Sequence, residues 1–222
     1  MSEAKHTIDT GEQRHPIQKI FKRLLDLFIS LVGLSILFIP FVIISLWIKL
    51  ESKGPVFFLQ ERVGQNSKLF NVLKFRTMVD DAVNQGLGVT VEEGDARITA
   101  IGHVLRNWGI DELPQLINVL IGNMSVVGPR PTLFYQVEQY NDFQKKRLLM
   151  KPGITSLAVV EGRNSLSWEK RIELDVLYVE QWAFWLDINI LFKTLWVVLI
   201  THKGVYADDG ANDDFGASSK KD

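Results

Sequence analysis

The chain has 222 residues, with 25 Lys and Arg against 26 Asp and Glu, a formal net charge of -1, and no cysteine. That length buries one good core, so a single domain with membrane attachments is expected, and a near-neutral chain with no basic stripe among its aromatics is not built for nucleic acid. Disulfides and thiolate metal sites are excluded, and His6, His15, His103 and His202 are scattered without metal-ligand spacing, which leaves oxygen donors for any cation.

Residues 1–16 form a polar leader of mixed charge, expected to be disordered. An uncharged run from Leu27 to Ile48 follows, long enough in residue count to cross a bilayer core of ~30 Å. Pro40 interrupts it: the ring removes one amide donor and clashes with the Ile36 carbonyl, so a bend or break is expected between Ile36 and Pro40. The segment before that break would reach only about 20 Å. Lys19, Lys22 and Arg23 precede the run, and Lys49 and Lys53 follow it. Positive charge at both flanks favours the cytoplasm for both ends. On these grounds residues 17–53 fit a re-entrant helix-break-helix and a kinked spanning helix about equally.

After Gly54-Pro55, Val56 to Gln60 and Leu69 to Phe75 read as two strands of a hairpin around Gly64-Gln65-Asn66. The alternation through Lys74-Phe75-Arg76 puts two basic residues on one face of the second strand, with no assigned role. The loop from Asp80 to Gly94 lacks the lysine of a phosphate-binding loop and carries no catalytic weight. Ile101, Val104, Leu105 and Trp108 make a helical stripe over Thr99 to Trp108, with Arg106 on another face. One long helix is expected from Pro131 to about Met150, its last turns carrying Lys145, Lys146 and Arg147, where cations suit the helix dipole or anionic lipid headgroups. Ser167 is a natural N-cap for a helix to about Val179. Trp182 to Ile200 is aromatic and apolar, with only Asp187 and Lys193 charged, and suits either an interfacial helix or a core helix. Residues 207–222 form a Gly, Ala, Asp and Lys tail, also expected to be disordered.

The most informative stretch is Asp111-Glu112-Leu113-Pro114-Gln115-Leu116, running on to Val127-Gly128-Pro129-Arg130-Pro131. It places two adjacent carboxylates at the head of a short apolar helix and an arginine in an extended Pro-X-Pro frame beyond it. A carboxylate pair can hold a divalent cation or attack an electrophile, and a guanidinium fork fits phosphate oxygens. Acidic residues also cap helix starts, and by spacing alone a cap is the commoner explanation.

From about Phe21 to about Leu199 the chain resembles the bacterial sugar transferases known as monotopic phosphoglycosyl transferases. The resemblance rests on the Asp111-Glu112 block, on Gly128-Pro129-Arg130-Pro131, on Lys74-Phe75-Arg76-Thr77-Met78, and on Lys151-Pro152-Gly153-Ile154-Thr155 through Glu161-Gly162-Arg163-Asn164. It implies an α+β, mostly α-helical, monotopic membrane enzyme with an N-terminal re-entrant helix-break-helix over residues 17–53, a small hairpin and interfacial amphipathic helices, its catalytic domain spanning residues 54–206. It implies transfer of a sugar phosphate from a UDP-sugar to polyprenyl (undecaprenyl) phosphate with Mg²⁺, on the cytoplasmic face of the bacterial inner membrane among its lipids, as the first step of glycoconjugate assembly. In that likeness Asp111 is the nucleophile and a metal ligand, Glu112 is also required, and Arg106, Arg130, Arg163 and Asn164 fall where substrate is bound. Ile39 stands where the family often has Ser before the proline. The family commonly reads Gly-Trp-Ala-Gln-Val-Asn-Gly-Arg-Asn where this chain has Ser156-Leu157-Ala158-Val159-Val160-Glu161 before Gly162-Arg163-Asn164, a departure that bears on the sugar preference. Alternatives are a Mg²⁺-dependent membrane phosphoesterase and a non-catalytic nucleotide-sugar-binding scaffold, and a homodimer is left open.

Overall fold

A computed structural model describes residues 15–82, 94–162 and 165–197. Helix α1, Pro16–Glu51, is unbroken, with Pro40 inside it. The two-helix expectation is corrected in this respect: a proline deletes one amide donor, and the bonds of the turns on either side carry the helix past it. By length and composition α1 is able to cross a membrane.

Its burial pattern is inverted relative to a core helix. Lys22, Asp26 and Ser30, spaced four apart on one face, are buried, whereas Phe21, Leu24, Phe28, Leu31, Ile36 and Ile39 are exposed. Such a helix turns its polar stripe to protein and its apolar side to lipid.

The polar stripe docks α1 onto the domain. Lys22 Nζ donates to the Asp187 carboxylate at 2.7 Å and to the Val127 carbonyl at 2.8 Å. Asp26 accepts from Ser125 Oγ (3.0 Å) and the Val126 amide (2.8 Å). Arg23 donates to the carbonyls of Val119 and Leu120. Lys22 and Arg23, both expected to flank the membrane run, are therefore spent on protein contacts. At the far end, Ile48 packs with Phe75, Ile101 and Leu105.

Strands β1 (Phe57–Val63) and β2 (Leu69–Phe75) pair antiparallel from Phe57 opposite Phe75 to Val63 opposite Leu69, around a 3₁₀ turn at Gln65–Ser67. The expected hairpin is present, its first strand running from Phe57 to Val63 where Val56 to Gln60 was expected. Helix α2, Ala100–Trp108, starts at Thr99, whose side chain accepts from the Gly102 amide. Ile101 and Leu105 of its stripe are buried, but Val104 and Trp108 are exposed. A 3₁₀ turn, Ile110–Glu112, leads to α3, Gln115–Ile121. Strand β3, Ser125–Val127, pairs in parallel with β4, Gly153–Thr155.

Between β3 and β4 the single long helix is replaced by α4 (Phe134–Val137), α5 (Asp142–Lys145) and a 3₁₀ turn (Lys146–Leu149). Asn141 restarts the chain with a capping box, accepting from the Gln144 amide while Gln144 accepts from its own. Arg147 is buried here, which corrects its expected place in the exposed last turn of a long helix. Short α6 (Leu157–Glu161) precedes α7, Trp168–Gln181, which Ser167 caps as expected.

Helix α8, Phe184–Trp196, buries Asp187 and Ile190 and exposes Trp185, Phe192 and Trp196. The main core joins Val72, Val119, Met124, Met150, Val179 and Trp182. The leader up to residue 14, the residue 207–222 tail, Arg163 and Asn164 lie outside the described residues.

Candidate active site

Gly109 ends α2 in the left-handed region (φ 66°), where a side chain would be strained, and turns the chain directly into Ile110–Glu112. Asp111 and Glu112 thus sit in a tight turn between two helices rather than in the first turn of α3. The residue preceding α3 is Pro114, and no side chain caps that helix. The capping explanation of the pair accordingly fails.

Helix α3 is keyed to β2 by Asn118, which accepts from the Leu73 amide at 3.0 Å and donates to the Asn71 carbonyl at 2.7 Å. One residue beyond Leu73, Lys74 Nζ reaches Glu112 Oε1 at 3.0 Å. From the other side Arg130 Nη2 reaches the same oxygen at 2.7 Å, and Nη1 lies 3.4 Å from Oε2. Arg130 is itself held through its backbone: its carbonyl accepts from Arg147 Nη2 at 3.0 Å. Arg147 is ion-paired with buried Asp175 and donates to the Tyr140 hydroxyl at 2.6 Å. Arg106 uses Nε to donate to Thr77 Oγ1 at 2.8 Å.

Asp111 makes no side-chain hydrogen bond or ion pair among the described residues, yet the charges of Lys74, Arg106 and Arg130 all act on it. Burial, and next the adjacent Glu112 charge, raise its pKa from 3.8 to about 6 against the pull of those cations. Burial also works to raise Glu112, but Arg130 and Lys74 outweigh it and hold that carboxyl well below its usual value. The two neighbours thus differ in state. Glu112 is a pinned anion that orders two cations, and Asp111 is a bare carboxylate whose pKa is set just below neutrality.

Of the residues singled out in the sequence, Asp111, Glu112, Arg106 and Arg130 converge. Pro40 lies within α1, outside this cluster. Lys74, left without a role, belongs to the site, and its signal was the basic alternation with Arg76. Arg76 instead donates to the Ser52 carbonyl and hydroxyl. The Arg147–Asp175 pair has no local signature.

No three His, Cys, Asp or Glu side chains among the described residues gather as a metal cage. With Glu112 bound to Lys74 and Arg130, Asp111 is the available oxygen donor. One carboxylate completed by substrate phosphates and water suits Mg²⁺, which seldom uses an all-protein cage.

A bare carboxylate ringed by three cations, beside a helix with a lipid-facing side, is the equipment of a membrane-associated enzyme that handles anions. The chain belongs to the bacterial sugar transferase family, whose model matches residues 17–201. It is 42% identical over 182 residues to the uncharacterized sugar transferase EpsL of Bacillus subtilis, covering 82% of this chain and 89% of that one. It is 41% identical over 191 residues to the UDP-glucose:undecaprenyl-phosphate glucose-1-phosphate transferase of Klebsiella pneumoniae, covering 81% of this chain but 40% of that one. It is 37% identical over 213 residues to the exopolysaccharide production protein ExoY of Rhizobium meliloti, covering 89% of this chain and 93% of that one. The chain thus spans nearly all of two relatives and less than half of the third.

Proposed function

We propose that the protein transfers a sugar phosphate from a UDP-sugar to polyprenyl phosphate, releasing UMP, through a phosphosugar held on Asp111. The observation that carries this reading is the unequal pair: Asp111 uncommitted, Glu112 clamped by Lys74 and Arg130. An ionised carboxylate attacks a pyrophosphate only where the phosphate charge is neutralised, and Arg106, Arg130 and Lys74 stand where that is required. A carboxylate oxygen of Asp111 forms a bond to the phosphorus bearing the sugar, the bridging P–O bond breaks, and UMP departs with its electrons. A phosphate oxygen of the polyprenyl acceptor then attacks the same phosphorus, and Asp111 leaves as carboxylate. Splitting the transfer lets a soluble and a lipid substrate use one small site in turn. Mg²⁺, held by Asp111 and the pyrophosphate, would supply further charge neutralisation.

Placement of both ends of α1 on the cytoplasmic face, with any re-entry made by a bend of the continuous helix at Pro40 and not by a break, is supported by how α1 is tied. Lys22 and Asp26 near its start, and Ile48 and Glu51 at its end, all contact the one domain. A helix crossing a ~30 Å core would carry these two ends to opposite sides. Exposed Trp185, Phe192 and Trp196 on α8 fit the interfacial plane.

The test is UMP release from a panel of UDP-sugars by detergent-purified protein, with and without undecaprenyl phosphate. Sustained release is expected only with the acceptor, and about one UMP per site without it, leaving labelled sugar on Asp111. Continuous turnover with water alone would make the protein a phosphoesterase instead.

A further inference from the structure

Glu51 is the last residue of α1, and its carboxylate is spent on another helix. Oε1 accepts from the Ala100 amide at 2.6 Å and Oε2 from the Ile101 amide at 3.1 Å. Thr99 Oγ1 takes the next amide, that of Gly102. The opening amides of α2 are thus satisfied mostly by a residue about fifty positions earlier, and a carboxylate there also favours the helix dipole.

The rest of α2 is fixed by Thr77. Its carbonyl accepts from the Thr99 amide at 3.0 Å, and its hydroxyl accepts from Arg106. A Cβ on Gly102 would lie 2.0 Å from the Thr77 carbonyl oxygen, so the helix is pressed against that residue. A companion tie joins Arg76 to Ser52, next to Glu51. Ala100 and Arg106 are separated by roughly 9 Å of helix, so a change of pose at one end is carried to the other.

The geometry points to Glu51 as a positioning residue, which joins the end of the lipid-facing helix to α2 and so fixes where Arg106 meets the donor phosphate. The membrane helix is then part of the active-site scaffold and not only an anchor. This rests on the reading of Arg106 as a phosphate ligand in a sugar-phosphate transferase.

The experiment compares wild type, Glu51→Ala, Glu51→Gln, Arg106→Ala and the Glu51→Ala/Arg106→Ala pair as full-length protein in detergent. Kinetics are UMP release from UDP-glucose, UDP-galactose and their N-acetyl forms with undecaprenyl phosphate, alongside amide hydrogen exchange. Glu51→Ala should speed exchange across Ala100 to Arg106 and raise KM for the UDP-sugar roughly three- to tenfold, the range spanned by loss of a helix-end bond, with a smaller effect on kcat. Glu51→Gln, whose one amide oxygen keeps part of the contact, should fall between. In the Arg106→Ala background the Glu51→Ala change should add little, because its effect passes through Arg106. Unchanged exchange and KM in Glu51→Ala, or full additivity in the pair, overturns the proposal. An Arg106→Ala variant with normal KM overturns it together with the phosphate role of Arg106, and a wild type that releases no UMP removes the transferase reading beneath both.

Discussion

Replacing Asp111 with Asn should abolish turnover and at the same time make the protein more stable. In the folded state burial and the Glu112 charge lift the Asp111 pKa from 3.8 to about 6. That difference corresponds to about 3 kcal/mol against the ionised form, and solvent screening at a partly exposed turn reduces the recoverable share to about 1–2 kcal/mol. Because the folded value lies above the unfolded one, this share of stability is fully present below pH 3.8 and is lost as pH rises through about 6. The Asn side chain never ionises, so the variant should exceed wild type at pH 8 by roughly 2–8 °C in Tm and match it near pH 4. Thermal unfolding of both proteins in detergent across that range, alongside UMP release, measures the gap and the activity together. A variant less stable than wild type at pH 8, a gap independent of pH, or residual turnover near the wild-type rate would each refute the assignment of Asp111 as a bare, desolvated nucleophile.

The same carboxyl governs the rate. Attack requires its ionised form, so kcat/KM should fall about tenfold per pH unit below about 6, as a pH-rate profile would show. Arg130→Lys should keep a charge yet lose the two-pronged hold on Glu112, lowering kcat/KM by roughly 10²-fold, whereas a value near wild type would reduce Arg130 to a surface ion pair. Activity should vanish with chelator and return with Mg²⁺, and full activity in chelator would remove the metal from Asp111. Single cysteines placed near Thr10 and at Ser67 should both be labelled from the cytoplasmic side alone, and periplasmic labelling near Thr10 would establish a spanning helix.

Local chemistry made much of this fold legible. Alternation marked β2, Gly64-Gln65-Asn66 marked its hairpin, Ser167 marked the start of α7, and the helical stripe marked α2. The stripe misjudged depth, since Val104 and Trp108 face outward, and periodicity cannot tell protein from lipid or solvent as the neighbour. The break at Asn141 was written in its own cap, Asn141 with Gln144 three residues on, but the apolar and basic run around it masked the signal. In the candidate site, Asp111, Glu112, Arg106 and Arg130 were recoverable through the resemblance to the family, since spacing alone favoured a helix cap for the two acids. Which of the two acids is pinned depends on Lys74, 38 residues away, and no spacing rule encodes that contact. Arg147 was misplaced for the same reason: its partner Asp175 is 28 residues downstream on another helix.

The Lys22–Asp187 ion pair joins residues 165 positions apart, both almost wholly buried. During synthesis at about 5–20 residues per second, the first helix emerges and meets lipid many seconds before its partner carboxylate has been translated. Until then Asp26, one turn on along the same helix, offers the lysine a charge partner, and in the finished fold breaking a buried pair such as Lys22–Asp187 costs about 3–5 kcal/mol. A chain halted before Asp187 could still make the contacts of Arg23 with Val119 and Leu120 and of Asp26 with Ser125 and Val126, but would lack the ion pair. The ion pair is therefore among the last of the contacts fastening α1 for which both residues have been synthesised.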